Sequence, residues 1–314
     1  MLKNDIKSPP ISDYTARESN DRILLLLLEF QEWMKTQRGT LDSTLNNYRL
    51  PIISLLKNLG TDSSLFTAKL LREFLIREMA SFSQEKSKNW GTAIRMFLRF
   101  LIAKGRCQYG LEYAIPTIAR WRLSSIPKYL AEGDVENLIS SCDPSTRSGA
   151  RDRAILLLLA RLGLRASDVS SLTFNAILWS EGSLLVSGKN RRETQLPLPQ
   201  DVGEAILHYL KCGRPQSAND YVFMTIVEPF MPIKRQVVGK VVLRAIRRTG
   251  IIAPHHGSHL LRHSTATHLL RGGVSMQSIG ALLRHSSIET TTIYAKTDIN
   301  LLKEVALPWP EVLS

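Results

Sequence analysis

The stretch from His255 to His285 concentrates side chains that could bind a metal ion or a phosphate, because it holds six of the chain's seven histidines. His259 and His263 stand four residues apart, a spacing that two zinc ligands on one helix can use. However, no glutamate follows His259 as in the HExxH zinc motif, and no cysteine lies nearby. We therefore predict that the site needs no metal ion and no other cofactor.

His259 and Arg262 stand three residues apart and would share one face of a helix. An imidazole that titrates near neutral pH, next to a permanently charged guanidinium, is suited to binding phosphate oxygens. If the pair stood alone, a surface ion pair for Arg262 and a helix cap for His259 would explain it equally well. Other residues of suitable type accompany it.

An arginine upstream occurs in the stretch GLRASD. Gly163 should end an apolar helix that starts near Asp152, and a new helix can begin with Ser167 or Asp168 in its first turn. Arg165 would then lie at the junction of the two helices. Taken singly, an arginine at this place would be an ordinary surface charge.

A lysine and a tyrosine complete the set of groups that can transfer protons or attack phosphorus. Lys189 occupies the tip of a predicted β-hairpin, because one strand-like run ends at Ser187 and another begins at Glu193. Tyr294 lies nine residues after His285 in a threonine-rich stretch. A solvated turn lysine and a half-buried aromatic are the ordinary explanations of these two residues.

The elements that would position these residues form two parts. Apolar residues at helical spacing predict a four-helix bundle in the N-terminal part. The periodicity fades near Pro116 and Pro127, which indicates a linker. The second part is mostly helical with a small antiparallel β-sheet, so the predicted fold class is mainly α. The predicted boundaries are a flexible arm at 1–20, a helical domain at 21–107, a linker at 108–128 and a second domain with a C-terminal tail at 129–314.

Composition and charge narrow the class of protein further. The 314 residues are 44% hydrophobic and 22% charged, as in globular proteins with a buried core. The three cysteines form no CxxC pair, which argues against a disulfide framework. The polar N-terminus does not resemble a signal peptide, and no apolar run approaches the ~20 residues of a membrane span. We expect a cytoplasmic, nucleoid-associated protein with no membrane partner.

The net charge of +13 favours a polyanionic partner such as double-stranded DNA, although a basic protein can also simply be well solvated. The order arginine, hairpin lysine, HxxR, histidine and tyrosine resembles the tyrosine recombinases, which include phage integrases and Xer-type enzymes. The similarity covers residues from about 21 to 306 and is most specific in GLRASD, HLLRHSTATHLL and LLRHSSIETTTIYAKTD. In the N-terminal part it rests on a helical pattern similar to the family's SAM-like core-binding domain.

The resemblance implies a site-specific recombinase that cuts and rejoins DNA through a 3′-phosphotyrosyl link and a Holliday junction, for integration, excision or resolution of DNA elements. Tyr294 would be the nucleophile, and His259 the base that takes its proton. Lys189 would be the acid that protonates the leaving 5′-oxygen.

The resemblance also implies how charge on the phosphate is stabilised. Arg165 and Arg262 would neutralise the pentacovalent phosphate without a metal ion. His285 would hydrogen-bond the phosphate. Asp168 would have a supporting role, in which its carboxylate holds an active-site histidine or arginine in place.

Two basic helix faces would hold the duplex from both sides, although a solvated face is the alternative explanation. The predicted DNA-binding residues are Lys88, Arg95, Arg99, Lys240, Arg244, Arg247 and Arg248. The resemblance further implies a tetramer on specific recombination sites, in which the segment after Tyr294 docks on a neighbouring protomer. It also allows an accessory recombinase or a DNA-bending protein as a partner.

Two positions depart from the family's common pattern. Arg284 stands where glycine usually precedes the histidine, and Ser258 stands where proline often precedes the HxxR histidine. Neither removes a catalytic group, but Arg284 would either add a phosphate contact or crowd the site. His255, His256 and His263 match no catalytic role, and we interpret them as structural or DNA-facing.

Two other functions remain open at this point. A type IB topoisomerase would use the same chemistry and rejoin the strand that it cut. A DNA-binding regulator would carry an inactive site. The complete set of catalytic-type residues argues against the regulator, which has no need of Tyr294 or Lys189.

Overall fold

A computed structural model describes residues 11–117, 127–187, 193–285 and 287–297, and the chain divides into two compact units, residues 1–121 and 122–314. Each unit has its own hydrophobic core. Within the described residues, helices dominate both units. None of these described helices is long and apolar enough to cross a bilayer.

The N-terminal unit is a helical bundle whose core is rich in aromatic rings. Phe30 packs edge-on against Phe97 and Phe100, with ring centroids 5.5 Å and 5.7 Å away. Polar caps begin two of the helices, since Thr67 accepts a hydrogen bond from the backbone of Leu70 and Ser83 caps the next helix likewise. The helices are α1 (Ile11–Arg38), α2 (Asp42–Leu59), α3 (Ala68–Met79) and α4 (Gln84–Ala103).

Residues 11–20, which the sequence assigns to a flexible arm, are helical and form the first turns of α1. Neither glycine nor proline follows Pro10 in this stretch, so nothing interrupts a helix that continues backwards from Asp21. Residues 1–10 and most of the predicted linker, 118–126, lie outside the described residues.

The second unit contains seven described α-helices and one small sheet. They are α5 (Glu132–Ser140), α6 (Arg147–Leu162), α7 (Ala166–Ser170), α8 (Gln200–His208), α9 (Arg235–Thr249), α10 (Ser258–Arg271) and α11 (Met276–Leu282). Apolar residues cover α6 almost all round, and most of them are fully buried. Such a helix lies in the middle of a core, with neighbours on every side.

The sheet contains the predicted hairpin and one further short strand. Strands β2 (Ser183–Ser187) and β3 (Glu193–Pro197) pair antiparallel, with Leu184 opposite Leu196. Strand β1 (Ile177–Leu178) adds an edge that the sequence did not predict, because two residues carry too little periodicity to be recognised. The hairpin tip at 188–192, which includes Lys189, lies outside the described residues.

Helix α10 is fixed by buried polar contacts to α6 and to the segment before α5. The Thr265 hydroxyl donates a 2.7 Å hydrogen bond to the backbone carbonyl of Ala160. The Ser264 hydroxyl accepts one of 2.9 Å from the backbone N–H of Leu130. Because both hydroxyl groups are buried, these bonds fix α10 against α6 and against the segment that precedes α5. The remaining side chains of α10 are therefore held in a defined register.

Candidate active site

The turn between α6 and α7 places Arg165. Gly163 ends α6 with a φ of 57°, and a Cβ there would lie 2.6 Å from a methyl carbon of Leu283, so any other residue would be strained and would displace that side chain. Arg165 then takes the N-cap position of α7, where its backbone N–H donates a 2.9 Å hydrogen bond to the Asp168 carboxylate. Asp168 therefore fixes the main chain from which the Arg165 side chain extends.

Arg262 projects from α10 into this turn. Its side chain is buried, and Nη1 donates a 2.5 Å hydrogen bond to the backbone carbonyl of Gly163, while Nη2 donates to that of Leu283. Burial, followed by the neighbouring charge of Arg165, lowers the pKa of Arg262 to about 10. The guanidinium therefore stays charged at neutral pH, inside the protein and without an ion-pair partner of its own among the described salt bridges.

The turn after α11 also holds the side chain of Arg165. Arg165 Nη2 donates a 3.1 Å hydrogen bond to the backbone carbonyl of Arg284. Arg284 has a φ of 52°, the left-handed conformation that favours glycine. Consecutive carbonyl groups of this turn, those of Leu283 and Arg284, thus accept hydrogen bonds from the two predicted phosphate-binding arginines, Arg262 and Arg165.

The side chain of Arg284 turns inward and forms an ion pair with Asp168. Both side chains are almost fully buried, at 5% and 6% exposure. Within the described residues, Arg284 Nε and Nη1 are buried without a hydrogen-bond partner. The departure from glycine therefore adds a third guanidinium beside Arg165 and Arg262, so the described residues of this pocket include three guanidinium groups and the Asp168 carboxylate.

Tyr294 is buried beside two histidine rings. It lies in the 3₁₀ segment Thr292–Thr297, and the residue is only 2% exposed. Its hydroxyl oxygen is 2.9 Å from Nδ1 of His263, within hydrogen-bond distance. The His285 ring stacks on the tyrosine ring at 6.4 Å between centroids and 8° between planes. Burial raises the pKa of Tyr294, while the charge of Arg262 acts in the opposite direction.

The two histidines against Tyr294 are uncharged at neutral pH. Burial, and next the charge of Arg262, lowers the pKa of His285 to about 4. Burial, and next the neighbouring His259, lowers the pKa of His263 to about 4. His285 Nδ1 lies 2.8 Å from the hydroxyl of Thr291, which fixes the orientation of its ring.

His259 occupies the first turn of α10 and is exposed to solvent. Its ring centroid lies 6.4 Å from that of His263. Although the residue reaches solvent, partial covering of its ring, and next the charges of Arg262 and Arg165, lower its pKa. His259 is therefore at the mouth of the site, while His263 is one turn deeper.

Most of the predicted site residues come together in the structure. One pocket contains Arg165, Asp168, Arg262, His285 and Tyr294, with His259 at its mouth. Lys189 lies outside the described residues, so its place in the site stays a prediction. Histidine, cysteine, aspartate and glutamate side chains form no group of three that could hold a metal ion in the described part of the chain.

His263, for which the sequence predicts a structural or DNA-facing role, lies within this site. His263 contacts the tyrosine hydroxyl, whereas His255 and His256 are exposed on the segment before α10. The spacing of four residues from His259 already placed His263 on the same helix face. The same spacing also fits two metal ligands on one helix, so it does not by itself indicate a contact with Tyr294.

The predicted DNA-binding residues differ in how freely they reach solvent. Lys88, Arg99, Lys240 and Arg247 are exposed. Arg95 is half-buried and donates hydrogen bonds of 3.2 Å and 3.3 Å to the backbone carbonyls of Ile115 and Pro116. This arginine therefore holds the end of its own unit together, and we expect it to contribute least to DNA contacts.

Two arginines of α9 are exposed, and each also contacts other side chains of the protein. Arg244 forms a 2.8 Å ion pair with the buried carboxylate of Asp152, which Arg151 also contacts. Arg248 donates hydrogen bonds to the side chains of Ser141 and Cys142. Both guanidinium groups border a surface cleft of about 380 Å³.

Comparison with known proteins identifies relatives over most of the chain. Residues 128–300 match the model of the phage integrase family. The chain is 38% identical over 286 residues to a putative integrase/recombinase, y4rA, of Sinorhizobium fredii, covering 90% of this chain and 70% of the relative. It is 29% identical over 291 residues to the tyrosine recombinase XerD of Listeria innocua, covering 89% and 96%.

Solved structures with the same fold include two recombinases bound to DNA. The XerH site-specific recombinase in a post-cleavage complex with difH DNA has a TM-score of 0.72 at 20% identity, covering 93% of this chain and 90% of that chain. A lambda integrase tetramer bound to a Holliday junction has a TM-score of 0.66 at 18% identity, covering 86% and 76%. At these identities the similarity concerns the fold, which is the predicted mainly α class with a small antiparallel sheet.

Proposed function

The chain belongs to the phage integrase family of tyrosine recombinases, and we propose that it recombines DNA at specific sites by cutting one strand with Tyr294. The observation that carries the proposal is that a buried tyrosine shares one pocket with Arg165 and Arg262, whose guanidinium groups are held by the turn at Leu283 and Arg284. Fixed positive charge beside a nucleophile is what an attack on a phosphodiester requires.

In the proposed reaction, Tyr294 Oη forms a bond with the scissile phosphorus while the bond to the 5′-oxygen breaks. The product is a 3′-phosphotyrosyl link and a free 5′-hydroxyl. Arg165 and Arg262 stabilise the charge on the non-bridging oxygens, and His285 hydrogen-bonds the phosphate. Lys189 donates the proton that the leaving oxygen needs. Because Tyr294 is almost fully buried, DNA binding has to open access to its hydroxyl.

We further propose that strands are exchanged one pair at a time through a Holliday junction in a tetramer. The support is the similarity in fold to the lambda integrase tetramer, which is bound to such a junction. Residues 21–107 would form the core-binding domain and residues 129–314 the catalytic domain, so that both units grip the duplex. The exposed cations Lys88, Arg99, Lys240 and Arg247 would contact its phosphates.

A suicide substrate tests this function and its two alternatives. A duplex with a nick close to the cleavage site loses a short fragment after cutting, so the cut strand cannot be rejoined. A recombinase and a type IB topoisomerase would both accumulate a covalent protein–DNA complex, and a regulator would form none. A plasmid with two sites then separates the enzymes, because recombination changes the order of DNA segments whereas relaxation changes only the supercoiling. Relaxation without rearrangement would contradict the proposal.

A further inference from the structure

We propose that His263, rather than His259, takes the proton from the Tyr294 hydroxyl when the tyrosine attacks phosphorus. This inference rests on the proposed function, because it assigns a role within the same cleavage step. It concerns a residue that matches no catalytic role in the sequence.

The geometry favours His263 directly. Its Nδ1 lies 2.9 Å from Tyr294 Oη, and the two ring centroids are 5.6 Å apart. A base must reach the proton that it removes, and this is the required hydrogen-bond distance. His259 lies one helical turn closer to solvent, and its described ring contact is with His263. His259 is therefore better placed to meet DNA than to contact the phenol.

Before DNA binds, the protonation states of the two groups are compatible with this step. Burial raises the pKa of Tyr294, so its hydroxyl keeps its proton at neutral pH and needs a base. Burial and the neighbouring His259 keep His263 neutral, so its ring has a lone pair for the proton. For Nδ1 to accept, Nε2 must carry the ring hydrogen, and the hydroxyl then donates to Nδ1.

The position of His263 in the sequence explains why the contact is stable. His263 follows Arg262 on α10, and the register of this helix is fixed by the buried hydroxyls of Ser264 and Thr265. Tyr294 is held from the other side by the stacked ring of His285. The acceptor and the nucleophile are therefore both restrained before DNA binds.

The step balances as follows. As the bond from Tyr294 Oη to phosphorus forms, the hydroxyl proton moves to Nδ1 of His263, and the bond to the 5′-oxygen breaks. The leaving oxygen takes a proton from the general acid, for which Lys189 is proposed. In the resealing direction His263, now an imidazolium, returns its proton to the tyrosine oxygen, as microscopic reversibility requires.

The test asks whether a more acidic phenol at position 294 removes the need for a base. Wild type, His263→Asn and His259→Asn are each prepared with tyrosine or with tetrafluorotyrosine at position 294. The fluorinated phenol is a much stronger acid than tyrosine, so its attack depends far less on a base. Formation of covalent complex on the nicked substrate is measured in a single turnover. We expect His263→Asn to slow the reaction by about 10²–10⁴-fold with tyrosine.

With tetrafluorotyrosine, we expect His263→Asn to react within about tenfold of the similarly fluorinated wild type, because the more acidic phenol depends far less on the lost proton transfer. His259→Asn should show no such rescue. Rescue of His259→Asn alone, or His263→Asn that reacts as fast as wild type with ordinary tyrosine, would overturn the proposal. His263→Asn that stays slow with both nucleophiles would also overturn it, because the loss would then be structural.

Two controls keep the outcomes distinct. DNA affinity and the cooperative thermal transition of each variant check folding, and His263→Gln serves as a second variant if His263→Asn does not fold. A wild-type protein that forms no covalent complex contradicts the proposed function itself. A wild-type protein that cleaves, together with His263 variants that cleave equally well, contradicts only the role of His263.

Discussion

Nη2 of Arg165 donates a 3.1 Å hydrogen bond to the backbone carbonyl oxygen of Arg284, a residue outside the predicted catalytic set. The preceding carbonyl, that of Leu283, accepts a hydrogen bond from Arg262 in the same way. One turn of main chain therefore sets the positions of both predicted phosphate-binding guanidinium groups. The left-handed backbone conformation of Arg284 helps to direct these two carbonyl groups toward Arg165 and Arg262.

The conformation of this turn predicts a difference between two truncations of Arg284. Arg284→Ala and Arg284→Gly lose the same ion pair with Asp168, but only alanine is strained at a φ of 52°. We expect the alanine variant to be less stable by about 1 kcal/mol. Urea unfolding of both variants measures this difference. Equal free energies of unfolding would show that the turn relaxes when the side chain is removed.

The buried ion pair predicts strong coupling between Asp168 and Arg284. Asp168→Asn keeps an oxygen that can accept from the backbone N–H of Arg165, but it leaves the buried Arg284 guanidinium without its anion. We expect a loss of about 3 kcal/mol in the free energy of unfolding. In a double-mutant cycle, the variant with both Asp168→Asn and Arg284→Gly should be more stable, by at least about 1 kcal/mol, than the sum of the two single losses predicts. Additive effects would contradict the pairing.

The histidines beside Tyr294 predict a loss of stability in mild acid. His263 and His285 have a pKa of about 4 when folded, against an ordinary value of 6.5, so the unfolded chain binds more protons between these values. Stability should therefore fall as the pH decreases from 7 to 5. After allowance for the partial exposure of the rings, the contribution is about 1 kcal/mol for each histidine.

Urea unfolding at pH 7 and at pH 5 measures this loss. His263→Asn, which cannot titrate, should show a smaller decrease between the two pH values than wild type does. A variant with the same or a larger decrease would show that other groups cause the acid sensitivity.

The proposed acid role of Lys189 predicts a selective rescue. Replacing the bridging 5′-oxygen with sulfur creates a leaving group that hardly needs a proton. Lys189→Ala should be slow on normal DNA, by about 10²–10⁴-fold, and largely restored on the sulfur substrate. Arg165→Ala and Arg262→Ala should show no rescue, because they act on the non-bridging oxygens. Equal rescue of all three variants would contradict the assignment.

The sequence predicted those parts of the site that depend on residues close together in the chain. The end of α6 at Gly163 and the two strands around Lys189 follow from local turn and strand signals, and the structure confirms the helix end and both strands. The order of the site residues was sufficient to identify the family. Each of these features depends on neighbouring residues or on a sequence motif.

The contacts that the sequence could not predict join distant segments. Which imidazole on α10 reaches Tyr294 depends on how the 3₁₀ segment packs, and periodicity alone cannot distinguish His263 from His259. The replacement of glycine by Arg284 was visible, but its inward direction follows from the buried carboxylate of Asp168 on another helix. Tertiary packing decides such contacts.

The identity of the nucleophile is the central claim, and mapping the covalent adduct tests it most directly. Wild type and Tyr294→Phe are incubated with the nicked substrate and digested with protease, and the DNA-linked peptide is identified by mass spectrometry. We predict an adduct on Tyr294 in wild type and none in Tyr294→Phe, with DNA affinity unchanged within about twofold because no charge is lost. An adduct that persists in the phenylalanine variant, or that maps to another residue, would contradict the account.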